Sequence, residues 1–352
     1  MAARLRKRKT AATGRKRRKR PAGSRKKRRI VQPPPHPDGR HYDEGYDSGH
    51  TAGFGSGFES GMVKGGENTA ASSSSEERFQ QGYKKGAADG RYEGGEAIVD
   101  RIMPPHCVLP DTPLEAIIAA GIAAYQERFV RLMSVEQVAE RIALALEQQT
   151  PLSVVRLGDG ELLAMAQETV MPIEAVRQEG SFLSYAGLEV PNLAVRDQLR
   201  DAVRRADIVG IPVLRQPNYQ MLAGSVLQAH GIDIRSRPFA DSLVNYGLYK
   251  GGYLQHLLQG RRVLLIGNKA EALASVLSSY GVTVAGIVTP VNGVTDASRA
   301  AAEAQHHQFD LALVSAGISA VLIAEELARI TGKVALDFGH MADTIVKGEA
   351  PF

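Results

Sequence analysis

A single cysteine, Cys107, occurs in the 352 residues, which excludes an internal disulfide. That agrees with a reducing compartment, and Cys107 reads as an ordinary, partly buried thiol. No run of 18 apolar residues exists, so no membrane-spanning helix is expected. No apolar segment follows the basic start, which sets it apart from a secretory signal peptide. Neither GxGxxG nor a Walker sequence is present, which counts against dinucleotide sites and P-loops. The expectation is a soluble, cytoplasmic protein.

Acid is missing from the first 29 residues, which hold 16 of the 43 lysines and arginines. The remainder carries 27 basic against 38 acidic residues, a net of −11, so the formal charge of +5 describes the tail and hides an acidic body. Residues 1–37 read as a disordered basic arm, because self-repulsion and low apolar content leave nothing to collapse. Residues 4–29 suit a polyanion, by counterion release, or attachment to an anionic surface. With no aromatic residue to stack on bases, sequence-specific reading of nucleic acid is not expected. A nonspecific solubilising tail is the plainer alternative.

Glycine then recurs at every fourth position, at Gly45, Gly49, Gly53, Gly57, Gly61 and Gly65, and again at Gly82, Gly86, Gly90 and Gly94. On a helix this period makes a smooth stripe that a second helix can approach. Glycine costs about 1 kcal/mol per helical position relative to alanine, so such a helix needs a partner. Self-association is one expectation for residues 38–97, and a flexible linker is the other. The run resembles the GxxxG segment of flagellar export stator proteins. Residues 71–77, "ASSSSEE", read as a loop, and residues 98–112 as a linker.

From residue 113 to 352 the pattern is that of a folded domain. Ile118, Ile122, Tyr125, Phe129 and Leu132 fall at helical spacing and read as core. Ser134 and Gln137 form a capping box for a helix that turns Val138, Ile142 and Leu146 inward. Apolar, β-branched runs follow at 152–157, 207–213, 262–267, 282–288, 309–315 and 333–338. Helical stretches at 193–205, 219–230, 269–280 and 319–331 alternate with them. This alternation predicts an α/β fold, a mostly parallel sheet flanked by helices. Ligands in such folds sit beyond the carboxyl ends of the strands.

Four of those ends carry residues suited to chemistry. Arg156 precedes Gly158, Asp159, Gly160 and Glu161. The small residues admit a large anionic ligand, and Arg156 suits either a phosphate or a carboxylate partner. Asp159 and Glu161 would repel a phosphate unless a hard divalent cation, Mn or Mg, stood between. Helix capping by Asp159 and Glu161 is the competing explanation. Gly267, Asn268 and Lys269 end a second strand and suit a base, ribose or phosphate. Ser315, Ala316 and Gly317 end a third and offer backbone N–H groups. Asp337 and His340 follow the last strand and suit a base or an acceptor-orienting pair. Asp241, Asn245 and Tyr249, four apart, would share one helix face and line an acceptor cleft. Pro212 reads as a strand stop, and Arg215 as a surface charge or a phosphate contact.

"VVRLGDGELLAM" resembles the Gly-Asp-Gly-Glu segment of the GT-D fold glycosyltransferases, and "GKVALDFGHMAD" resembles that family's closing strand and Asp-x-Gly-His turn. The likeness covers residues 113–345. It implies transfer from a nucleotide-sugar donor, typically a UDP-sugar, with the divalent metal held at Asp159 and Glu161. The acceptor would be a glycan or a glycoprotein. A non-catalytic assembly or anchoring protein that keeps the fold is one alternative; a nucleotide-binding oxidoreductase or phosphohydrolase is another.

Overall fold

A computed structural model describes residues 75–215 and 219–352. The basic arm and the first glycine run lie outside these residues. The chain divides into two units after Leu114, and of the first only residues 75–114 are described.

In the first unit, helix α1 (Ser75–Arg91) runs through a wider turn (Tyr92–Glu96) into α2 (Ala97–Ile102). The loop expected over 71–77 therefore gives way to helix at Ser75, and the linker expected over 98–112 begins inside α2. Gly82, Gly86 and Gly90 lie on α1, with Gly94 in the turn. A Cβ at any of these four would meet nothing within 4 Å. These four glycines therefore have open space beside them among the described residues.

At the start of the second unit, α3 (Leu114–Ala124) departs from the sequence reading. Ile118, Ile122, Tyr125 and Phe129 are exposed by half or more instead of lying in the core. The helix stops at Ala124, and a short 3-10 turn (Gln126–Arg128) breaks the register that would have aligned them. Alanine, isoleucine and glycine occur all around α3, so the spacing did not single out a buried face. Cys107, in the first unit, is exposed where a partly buried thiol was expected.

Helix α4 (Val135–Gln148) starts at the expected capping box. The Gln137 backbone N–H donates to Ser134 Oγ at 3.3 Å, and the Ser134 N–H donates to Gln137 Oε1 at 2.9 Å. Val138, Ile142 and Leu146 are buried. The sheet follows: β1 (Leu152–Arg156), α5 (Asp159–Ala166), α6 (Ile173–Glu179), α7 (Leu193–Arg205), β2 (Ile208–Ile211) and α8 (Tyr219–Ala229). Then come β3 (Phe239–Asp241), α9 (Val244–Lys250), α10 (Tyr253–Leu258), β4 (Arg262–Gly267), α11 (Ala270–Ser279) and β5 (Thr283–Val288). The last elements are α12 (Ala297–Ala304), β6 (Leu311–Ser315), α13 (Ser319–Thr331), β7 (Val334–Asp337) and α14 (Met341–Val346).

The seven strands are all parallel, in the order β3-β2-β1-β7-β6-β4-β5. Strand β3 escaped the sequence reading because three residues are too few to show a pattern. It holds Asp241, which therefore does not share the helix of Asn245 and Tyr249. Strand β2 ends at Ile211, directly before Pro212. Helices α5, α7, α8, α12 and α13 bury one face of the sheet, and α4, α9, α10, α11 and α14 the other. Both faces are covered by helices, which explains near-continuous apolar strands such as Val263–Ile266.

Candidate active site at the strand ends

Strands β1, β7, β6 and β4 are neighbours, so all four chemically marked ends open on one rim. Gly267 lies in register with Ser315, and Val314 with Asp337. The strand order that creates this adjacency is a tertiary fact.

Arg156 stands at the centre. Its Nη2 donates to Asp337 Oδ1 at 2.8 Å, and its Nε to the Asp337 carbonyl at 3.0 Å. Its Nη1 donates to the Ser242 carbonyl at 3.0 Å and to Asn245 Oδ1 at 3.4 Å. Of the two roles open to Arg156, holding a carboxylate is the one the geometry displays. Asn245 is fully buried, and its Nδ2 donates to the Phe338 carbonyl at 2.8 Å. It fastens α9 beneath the last strand and does not line a cleft. Tyr249, on the same helix, donates its hydroxyl to the Pro351 carbonyl.

Asp337 is buried, and burial pushes its carboxyl up against the opposing pull of Arg156. His340, three residues on, is exposed. Gly339 between them has φ +52°, and a Cβ there would run into the Arg156 guanidinium. The Asp-x-Gly-His turn thus needs glycine both for its backbone and for the space the arginine fills.

The Gly158–Glu161 turn opens α5. The Gly158 N–H donates to Glu161 Oε2 at 2.8 Å, and the Gly160 N–H donates to Asp159 Oδ1 at 2.8 Å. Both carboxylates therefore satisfy the helix start, as the capping explanation requires. Capping does not account for the electrostatics of Glu161. Burial, then the charge of Asp337, raises the Glu161 carboxyl from 4.5 to about 7. Asp159 is exposed beside it. Gly160 is small for a packing reason, since a Cβ would lie 3.2 Å from Ile318 and 3.7 Å from Phe182.

Three carboxylates and one guanidinium make this corner negative, and a hard cation would relieve the penalty on Glu161. The donor set, two carboxylates on one turn, suits the Mn or Mg type of site that completes its shell with water and phosphate oxygens. Among the described residues no three His, Cys, Asp or Glu side chains gather as a shell of their own.

The neighbouring ends supply different groups. Gly267 has φ +133°, and a Cβ on it would overlap the Ser315 carbonyl, so this glycine lets β4 and β6 finish in contact. The Asn268 amide is engaged on both sides: Nδ2 donates to the Val291 carbonyl at 3.1 Å, and Oδ1 accepts the Val291 N–H at 2.8 Å. Lys269 and Gly317 are exposed. Ser315 Oγ and Ser319 Oγ are buried without hydrogen-bond partners, on either side of Gly317 at the start of α13. Two orphaned hydroxyls at a helix start are unusual, since such groups are nearly always satisfied.

Sequence reading missed Ser319, because serine at a helix start is ordinary. It also missed Tyr219, the first residue of α8, whose hydroxyl is pushed up by burial and by the charges of Asp159 and Glu179. Arg215, in the preceding loop, is exposed and donates to Gln220 Oε1 at 3.3 Å.

Residues 133–345 match the family described as a GT-D fold-like domain. The chain belongs to the GT-D-like family. Membership in this GT-D-like group supports glycosyltransferase activity, the activity implied by the two strand-end motifs. A solved structure described as "The highly conserved domain of unknown function 1792 has a distinct glycosyltransferase fold" is similar over 63% of this chain and 83% of that one, at 15% identity and a TM-score of 0.42. The carbamoyl phosphate synthase large chain of Pseudothermotoga lettingae is 33% identical over 81 residues, or 22% of this chain. Those residues span 7% of that protein's length. The family match starts at residue 133, so it does not bear on the likeness of the glycine run to stator proteins.

Among the described residues no helix is long and apolar enough to cross a membrane.

Proposed function

We propose that the GT-D-like domain transfers a sugar from a nucleotide-sugar donor, a UDP-sugar, to a glycan or glycoprotein acceptor. The observation that carries this reading is the convergence of four marked strand ends on adjacent parallel strands, within a family of the glycosyltransferase type. The donor diphosphate would lie between the Gly158–Glu161 turn and the start of α13. There the Ser315 and Ser319 hydroxyls lack partners, and the helix offers its first N–H groups.

Asp159 and Glu161 would hold the divalent cation. When bound, the cation supplies positive charge that offsets the charge gathering on a departing nucleoside diphosphate. Arg156 and Asp337 act from behind: their ion pair fixes the end of β1 against β7 and so fixes the turn that bears both carboxylates. Asn268 fixes the Val291 loop, and Lys269 offers an exposed cation beside it. His340 is the better placed of the two candidate bases, because it is exposed while the Asp337 carboxylate already accepts from Arg156.

Release of UDP from a panel of UDP-sugars, with water or an added sugar hydroxyl taking the glycosyl group, measured with manganese and then with EDTA, tests the reading. Cation-dependent release that disappears in Asp159→Asn is the expected result. A folded protein that releases no UDP from any donor would return the domain to the assembly-protein alternative. The polyanion affinity of residues 4–29 and self-association through the glycine stripe are separate proposals about the N-terminal region.

A further inference from the structure

Between α6 and α7 the chain crosses the rim of the site as residues 181–190, and its side chains divide by direction. Leu183 and Leu188 are buried. Ser184, Tyr185 and Glu189 are exposed. Tyr185 is 98% exposed, although a tyrosine ring is one of the larger apolar surfaces a side chain carries.

This ring does not hang on a loose tether. Below it, Leu183 and Leu188 anchor in the core, and the Leu188 N–H donates to the Leu183 carbonyl at 2.9 Å. On one side, Gly187 presses against Gly293, and the Val294 N–H donates to the Gly187 carbonyl at 3.1 Å. Both glycines have positive φ, +84° and +73°, so the crossing depends on the absence of side chains. On the other side, Phe182 lies 3.7 Å from where a Gly160 Cβ would be. The Ala186 carbonyl lies 3.6 Å from where a Gly317 Cβ would be. Tyr185 thus sits between two residues that touch the glycines of two strand ends.

We infer that Tyr185 is an acceptor-binding residue, a platform on which a pyranose ring of the acceptor glycan stacks. This rests on the glycosyltransferase reading above. A sugar has an apolar face of C–H groups and a polar edge of hydroxyls. The loop carries both kinds of group: the exposed Tyr185 ring, and the exposed Ser184 hydroxyl and Glu189 carboxylate, whose oxygens lie 3.5 Å apart. A nucleotide base is the poorer fit. Selecting a base takes hydrogen-bond groups aimed at its edge in an enclosing pocket, whereas this ring stands free. The anchored backbone beneath it also spares the ordering cost that a flexible loop would carry.

The chain contains no tryptophan, so Tyr185→Trp in the full-length protein places its sole indole at this point, excited at wavelengths the tyrosines do not absorb. Methyl glycosides of glucose, galactose and N-acetylglucosamine, and separately UDP, are titrated against its emission. The expected result is a saturable change with at least one glycoside and none with UDP. For that glycoside, Tyr185→Ala weakens binding several-fold to about tenfold by saturation-transfer NMR, and Tyr185→Phe retains it. A saturable change with UDP would make Tyr185 a donor contact and overturn the assignment. No change with any glycoside would overturn it as well. Calorimetry of UDP with the unmodified protein reports separately on the glycosyltransferase reading, so the two failures are distinguishable.

Discussion

Arg156 and Asp337, 181 residues apart in sequence, meet at the ends of neighbouring strands with Nη2 and Oδ1 2.8 Å apart. Each belongs to one of the two sequence motifs that marked the site. Their contact explains why the motifs belong together: the last strand holds the first in place, and the carboxylate turn stands on that pairing.

Removal of one partner leaves the other charge buried. Asp337→Ala should therefore destabilise the domain by about 3–5 kcal/mol, read as a shift in the urea midpoint. Arg156→Lys keeps the charge but loses the planar fork that reaches four acceptors, and should fall between Asp337→Ala and the unmodified protein. Equal stability for all three proteins would remove the pair from its structural role.

Gly339→Ala sets a methyl group against the Arg156 guanidinium at a backbone angle that alanine rarely adopts. A loss of about 2 kcal/mol or more is expected in thermal unfolding. Gly267→Ala should behave alike, since its Cβ would overlap the Ser315 carbonyl. Gly281→Ala is the informative control: it shares positive φ, but a Cβ there meets nothing within 4 Å, so its cost should be smaller.

The raised Glu161 carboxyl gives stability a pH dependence of known sign. The folded protein keeps this proton to about pH 7, whereas the unfolded chain loses it near 4.5. Between those values the folded state binds more protons, so stability falls as pH rises, by up to about 3 kcal/mol from this group. Glu161→Gln should remove that part of the slope, seen as the difference between two denaturation series over pH 4–8. A cation bound beside Glu161 favours the carboxylate, so manganese affinity should strengthen as pH rises toward 8 and flatten in Glu161→Gln.

Much of the sheet was legible because both of its faces are buried, which turns strands such as "RRVLLIG" into unbroken apolar runs. Strand order was not legible: nothing local says that β7 inserts between β1 and β6. The site residues were therefore visible as four separate ends, and only their adjacency makes a site. Reading failed where a pattern was too short, at Phe239–Asp241, and where it was too uniform, on α3, whose apolar residues do not pick a side. Ser319 and Tyr219 carried no sequence signal, because their significance lies in what surrounds them.

The glycine stripe of α1 offers a simple test of its own. Alanine at Gly86 and Gly90 meets no atom within 4 Å, so Gly86→Ala/Gly90→Ala should add helix, about 1 kcal/mol at each position. Circular dichroism of the full chain reads this. If the stripe is instead a self-association surface, leucine at the same positions should lower the sedimentation mass of the protein while alanine leaves it nearly unchanged.

The central claim is that the Gly158–Glu161 turn is a cation-dependent nucleotide-sugar site. Calorimetry of UDP with the full-length protein tests it most directly, in manganese and then in EDTA, beside the Asp159→Asn/Glu161→Gln double variant. The account predicts binding that requires both manganese and the two carboxylates. Binding that is unchanged in EDTA or in the double variant would contradict it, and so would the absence of UDP binding by a folded protein in every condition.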